Sequence, residues 1–122
     1  MPGLDEPNRL ALALADLLSK NLDTRRAAVD VLAELRAVPE LIDAMQTNEH
    51  WFVRMAAAQA LGRMGDASAI PFLVETLNNP RDKWLAFDAA VALAQIGTPE
   101  ALGALHDFRE QLRRNSAMDS RL

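Results

Sequence analysis

The amino-acid sequence predicts an all-α domain made of stacked helical hairpins, and three observations carry that expectation. Residues 51–73 recur as 83–105, 32 positions on and without a gap, with identities at Ala57/Ala89, Ala58/Ala90, Ala60/Ala92, Leu61/Leu93, Gly65/Gly97, Ala69/Ala101 and Leu73/Leu105. A unit of that length cannot bury its own apolar face, so successive copies must stack into a shared core. Half of the residues are hydrophobic, largely Ala and Leu, whereas aromatics make up 5% and Tyr is absent. Close-packed helices suit that composition; sheets draw on β-branched and aromatic residues. Finally, helix-ending Gly and helix-starting Asp, Thr and Pro stand at the ends of the apolar-periodic stretches. The length of 122 residues allows one domain with one continuous core.

The elements follow in chain order. A leading helix is expected near 6–20, around the apolar run 10–15. The second helix, near 23–37, opens a divergent copy of the repeat. Setting Arg25 against Arg54 pairs Thr24 with Val53, Ala28 with Ala57, Val31 with Ala60, Leu32 with Leu61 and Leu35 with Met64. The third helix, near 39–47, begins Pro39-Glu40-Leu41-Ile42, echoed by Pro99-Glu100-Ala101-Leu102; dropping one turn residue pairs Ile42 with Ile70 and Met45 with Leu73. A fourth helix near 50–64 stops at Gly65, which accepts the left-handed conformation, and Asp66 then offers an oxygen to the free amides of the fifth, near 67–78. Pro71 has no amide to give, so that helix is expected to start with a tight or irregular turn and become regular around Ile70. Asn79-Pro80 marks a turn, the sixth helix spans about 82–96, and Gly97-Thr98 repeats the stop-and-cap signal. Pro99 suits the first position of a seventh helix near 99–114. The expected domain is 4–114, with repeats near 22–47, 51–78 and 83–112 and flexible ends at 1–3 and 115–122.

Each first helix of a pair carries two stripes. Val53, Ala57, Ala60, Leu61 and Met64, with Leu85, Ala89, Ala92, Leu93 and Ile96 one copy later, follow core spacing. The other stripe holds Phe52, Met55, Ala56, Gln59 and Arg63, then Trp84, Phe87, Asp88, Val91 and Gln95; in the divergent copy it reads Asp23, Arg26, Ala27, Asp30 and Glu34. It runs from charged at one end to aromatic and apolar at the other. Trp84, Phe87 and Val91, joined by Trp51, Phe52 and Met55, would form an apolar patch rimmed by Arg63, Asp88 and Gln95, and such patches mark interaction sites. Two readings compete for Phe52 and Trp84. They hold equivalent repeat positions near helix starts, where a ring can simply fill a gap against the preceding pair.

The string Val53-Arg54-Met55-Ala56-Ala57-Ala58-Gln59-Ala60-Leu61-Gly62-Arg63-Met64-Gly65-Asp66, followed by Ala69-Ile70-Pro71-Phe72-Leu73, resembles the short HEAT-like repeat of phycobilisome lyases and many bacterial proteins. The resemblance covers roughly 22–112. It implies a right-handed α-α superhelix of about three hairpins plus a leading helix, with the second stripe lining a groove for a partner. The third copy departs from the pattern at Leu85-Ala86, which stands for Val-Arg, and at Ala94, which stands for Gly. Loss of the Arg is expected to remove a polar contact between repeats, while Ala94 stays small enough for close packing.

Charge and chemistry narrow the function. Net charge is −4, and residues 1–50 hold five Lys/Arg against nine Asp/Glu, so nucleic acid and anionic membranes are not expected partners. Arg109, Arg113, Arg114 and Arg121 are read as complementing the dipole of the last helix. The absence of Cys removes disulfides, thiol nucleophiles and Cys-ligated metals. The run 10–15, cut by Asp16, is neither a signal peptide nor a membrane span, which points to a cytoplasmic protein. His50 and His106 lie in different repeats, and Glu49-His50 reverses the His-Glu order that some HEAT-repeat hydroxylases use for iron, so no metal or cofactor is expected. Asp66, Asp82, Asp88 and Asp107 make no carboxylate pair and are read as helix caps or solvated faces. HEAT-like DNA glycosylases need a longer basic groove. The expected function is therefore a non-enzymatic adaptor or scaffold that binds a protein partner through Trp51, Phe52, Met55, Trp84, Phe87 and Val91, with Gln59, Arg63, Asp88 and Gln95 selecting, and a homodimer is one form it can take. The alternative that the resemblance implies is a bilin lyase-like or chaperone subunit acting on a phycobiliprotein or tetrapyrrole.

Overall fold

A computed structural model describes residues 6–79 and 81–120, and all regular structure within them is helical. Seven α-helices follow in order: α1 (Glu6–Asp16), α2 (Leu22–Glu34), α3 (Val38–Thr47), α4 (Trp51–Met64), α5 (Ile70–Leu77), α6 (Lys83–Ile96) and α7 (Pro99–Ser120). A 3-10 turn over Ala67–Ala69 leads into α5, which is the tight start that Pro71 imposes. The flexible end expected at 1–3, Arg121 and Pro80 of the Asn79-Pro80 turn lie outside the described residues.

The first helices α2, α4 and α6 lie side by side, with α4 on α6 the most extensive contact in the molecule. Each second helix packs against the next first helix, α3 on α4 and α5 on α6, while α1 covers α2 and α7 closes on α5 and α6. This interlocking makes one continuous core. Its fully buried large side chains are Leu32 and Val29 of α2, Leu41 and Met45 of α3, Val53 and Leu61 of α4, Ile70, Leu73 and Leu77 of α5, and Leu93 of α6. Ala57, Ala58, Ala60, Ala89 and Ala92 are likewise inaccessible, so the first helices approach with almost no side-chain bulk between them. Gly62 marks the closest point: a Cβ there would meet Gln95 and stand 2.7 Å from the Cα of Ala92.

The caps explain the junctions. Gly65 and Gly97 end α4 and α6 at φ 69° and 68°, where an L side chain is strained. Asp66 accepts from the Ser68 amide at 2.9 Å, Asp82 from that of Leu85 at 2.9 Å, and Thr98 from that of Ala101 at 3.2 Å. In the first copy Arg36 takes the place of Gly65 and adopts φ 55° itself. Hence α2 stops at Glu34, three residues before the expected end. The expected leading helix is also shorter. Beyond Asp16 the carbonyl of Ser19 accepts from the Arg25 guanidinium and Asn21 caps α2 through the Thr24 amide at 3.1 Å, so these groups serve the second helix.

At the other end α7 continues to Ser120, past the expected fray at Asn115, because no Gly or Pro follows to stop it. Arg109, Arg113 and Arg114 consequently stand within α7, not in its last turn, and the helix-dipole explanation does not apply to them. Met64 and Ile96, expected in the core, are half-buried at its margin.

Candidate functional site

Repeat geometry sorts the expected contact residues onto two different surfaces. Phe52, Gln59 and Arg63 of α4 and Trp84, Val91 and Gln95 of α6 share one spacing (i, i+7, i+11) and form an outer row along the first helices. Trp84 is 75% exposed and Val91 40%, while Phe52 and Gln59 are half-buried. Trp51, 60% exposed, stands at the start of α4 in a small aromatic cluster. Its ring lies 5.8 Å from His50 in a stacked arrangement and 6.2 Å from Phe52 edge-on. His50 fixes that cluster by capping α4, its Nδ1 accepting from the Phe52 amide at 3.3 Å.

Asp88 differs from the rim residue expected. It stands next to the row but faces α4, in the place that Ala56 holds one copy earlier, and is only 7% exposed. Gln59 Nε2 donates to its Oδ1 at a long 3.5 Å, and Oδ2 is buried without a hydrogen-bond partner among the described residues. Burial pushes the carboxyl above the usual aspartate range; the Gln59 hydrogen bond opposes that shift and the charge of Asp82 adds to it.

Met55 and Phe87 occupy the side of the helix that faces the following repeat. Met55 is half-buried there, packed against the core. Phe87, its counterpart 32 residues on, is covered by no further first helix among the described residues and is 64% exposed. It lines an open groove of about 1030 Å³ together with Ala86 and Ala90 of α6, Phe108 and Leu112 of α7, and Leu77 at the end of α5. Ala86, Ala90, Phe108 and Leu112 lie outside both stripes that helical spacing marks. The signal was present in the repeat, since Ala86 and Ala90 align with Arg54 and the buried Ala58.

The polar contact expected between repeats is present twice. Buried Arg25 donates to the Ser19 carbonyl, to Asn48 Oδ1 at 3.3 Å and to Glu49 at 2.6 Å, and its hydrogen bond and charge hold the Glu49 carboxyl below the usual range. Arg54 donates to the Asn48 carbonyl at 2.8 Å and pairs with Asp82 at 3.5 Å. Each arginine thus joins the loop before its own helix to the loop before the next first helix. Ala86 ends the ladder.

Among the described residues no three His, Cys, Asp or Glu side chains gather as a metal site would require, and no helix is long and apolar enough to cross a membrane. His106 lies exposed on α7. No curated protein matches the chain. The family model for the PBS lyase HEAT-like repeat matches residues 85–110, the last helix pair. The model for HEAT repeats matches residues 10–94, well over half of the sequence. With hairpins interlocked in register and the helix-ending glycines Gly65 and Gly97 in place, this chain belongs to the HEAT repeat family.

Proposed function

We propose that this chain is a non-enzymatic protein-interaction module, an adaptor or scaffold that presents the outer row of α4 and α6 to a partner protein. The observation behind this reading is Trp84, three-quarters exposed at a repeat position where Phe52 is packed down. A Trp held on a rigid helix offers a large amphipathic contact at small conformational cost, and Trp is enriched among residues that dominate binding energy. Val91 extends its apolar surface, while Arg63 and Gln95 supply the polar frame of an interface. HEAT repeats typically serve protein–protein interaction, which supports the same reading.

The test is affinity capture from the native host with wild-type protein and with the Trp51→Ala/Trp84→Ala double variant, followed by titration of the captured protein. Both side chains are exposed, so melting should move by no more than about 0.5 kcal/mol per site while partner retention falls. Undiminished titration by the double variant would remove the outer row from the proposal.

The match of the last helix pair to the PBS lyase HEAT-like repeat favours a second reading, a lyase-like or chaperone subunit that acts on a phycobiliprotein or its bilin. A visible absorbance change on mixing with a bilin, absent with an unrelated hydrophobic dye, would support it. No such change would leave the adaptor reading alone.

A further inference from the structure

The outer row is one candidate surface; the open face of the last helix pair is another, and its logic is independent of the row. We propose that the α6–α7 face docks against the same face of a second copy of this chain, in a two-fold arrangement with the two α7 helices antiparallel.

The molecule contains its own standard for such a face. On α4, Arg54 pairs with Asp82 and Gly62 has no room for a Cβ against Ala92 and Gln95 of α6; helical spacing puts Met55 and the inaccessible Ala58 on the same flank. The matching positions on α6 are Ala86, Phe87, Ala90 and Ala94. They keep the same flat, small-residue shape around one large apolar side chain, yet Phe87 is 64% exposed and Ala94 lies open. The uncovered face therefore continues an interface that is already helix-covered one step earlier in the stack.

Residue changes at that face argue for a partner other than a further repeat stacked in the same direction. Arg25 reaches forward to Asn48 and Glu49, and Arg54 reaches forward to Asp82. A fourth pair in register would present a similar acceptor, and Ala86 has nothing to give it. The Arg-to-Ala and Met-to-Phe changes make the face more apolar, which suits contact with another apolar face.

Helix α7 supplies the rest. Its 22 residues against 14 in α6 make it about 12 Å longer at 1.5 Å per residue, so its last two turns run beyond the start of α6. Leu112 (53% exposed) and Met118 (66%) lie on this distal half. A two-fold partner would give each overhang a body to rest on. The charges along one edge of α7 agree with that direction: Glu100, Asp107 and Arg114 recur every seven residues and are all exposed. Antiparallel pairing about an axis near Phe108 and Gln111 brings Arg114 of each copy toward the acidic positions of the other. A face two helices wide (~20 Å) and fourteen residues long (~21 Å) spans roughly 420 Å² in projection, and the overhang of α7 extends it toward the ~800 Å² per partner of a standard interface.

Sedimentation equilibrium of the full chain over a concentration series, with light scattering, tests the proposal. Wild-type protein should move from 13.4 kDa toward twice that mass as concentration rises. Phe87→Arg and, separately, Leu112→Glu should raise the dissociation constant at least about thirtyfold with unchanged helical circular dichroism, as for central interface residues. Arg114→Glu should weaken the dimer, and combining it with Glu100→Arg and Asp107→Arg should restore it. Trp51→Ala, on another face, should leave the mass distribution alone. A wild-type chain that stays monomeric at millimolar concentration overturns the proposal, as does a dimer indifferent to both Phe87→Arg and Leu112→Glu.

Discussion

Position 88 carries an internal reference, because the repeat places Ala56 at the matching site on α4. Asp88 is 7% exposed, with one carboxylate oxygen unpartnered among the described residues and the other on a 3.5 Å hydrogen bond from Gln59. Leaving a buried polar group unsatisfied costs about 1–3 kcal/mol. Trimming the side chain to the Ala that the previous copy tolerates forfeits little apolar packing. Asp88→Ala should therefore stabilise the fold by about 1–2 kcal/mol, or roughly 3–8 °C in melting temperature for a chain of this size. The sign of its pH dependence follows from the raised carboxyl pKa. Below the unfolded value of 3.8 both folded and unfolded chains keep the proton, and the cost of burying the charge is absent. As pH rises from there the unfolded chain ionises first, so wild type loses stability until the folded carboxyl has also ionised. The gain of the variant should accordingly be small at acid pH, grow above the unfolded value and level off near neutrality. Paired urea melts of the two proteins across pH measure that difference with most other groups cancelling. An Asp88→Ala variant that melts below wild type at neutral pH would refute the reasoning, since Asp88 would then be making a net stabilising contact. A gain that does not vary with pH would refute the linkage to its ionisation.

Four further outcomes, in two contrasting pairs, rest on the packing. Gly62→Ala should destabilise by about 1–3 kcal/mol, because its Cβ meets the backbone of Ala92, whereas Gly103→Ala in α7, with open space at that point, should stabilise by about 1 kcal/mol; chemical denaturation reads both. Arg25→Ala should cost about 2–3 kcal/mol, because it removes a buried guanidinium that donates to three partners: the Ser19 carbonyl loses its donor, Glu49 loses its cation, and Asn48 Oδ1 keeps only the His50 amide at 3.0 Å. Arg54→Ala should cost less, about 1 kcal/mol, since Arg54 and its Asp82 partner are partly solvated. Equal melts for the two arginine variants would contradict the difference in burial.

The second and third helix pairs were legible because repetition doubles each signal. Gly65 and Gly97, Asp66 and Thr98, and the alanine seam each occur at one register, and the structure puts caps and core where that register demands. The divergent copy was less legible because a tertiary context replaced local chemistry. Arg36 holds a left-handed conformation without being Gly, and Arg25 ties off the turn after α1 from across the loop. The length of α7 was missed for want of any breaker after Asn115. On the candidate surface, helical spacing identified the solvent-side stripe but not which flank faces a neighbour. Met55 and Phe87 sit on the flank toward the next repeat, so their burial depends on whether another helix lies there. Asp88 lies on the opposite flank, where α4 covers it, and a charged residue type gave no sign of that.

What surrounds each ring differs between Phe52 and Trp84. Phe52 has His50 at 5.1 Å and Trp51 at 6.2 Å and packs against the core, so it fills a gap at the start of its repeat. One copy later the two preceding positions are Asp82 and Lys83. Asp82 is engaged in capping α6 and pairing with Arg54, and Trp84 has no ring contact among the described residues. The same repeat position thus holds a packed ring in one copy and a larger, three-quarters exposed ring in the next. A gap-filling role would predict burial at both. Exposure at Trp84 leaves its apolar surface with little to do for the fold of the single chain, and removing it should change association while barely changing stability.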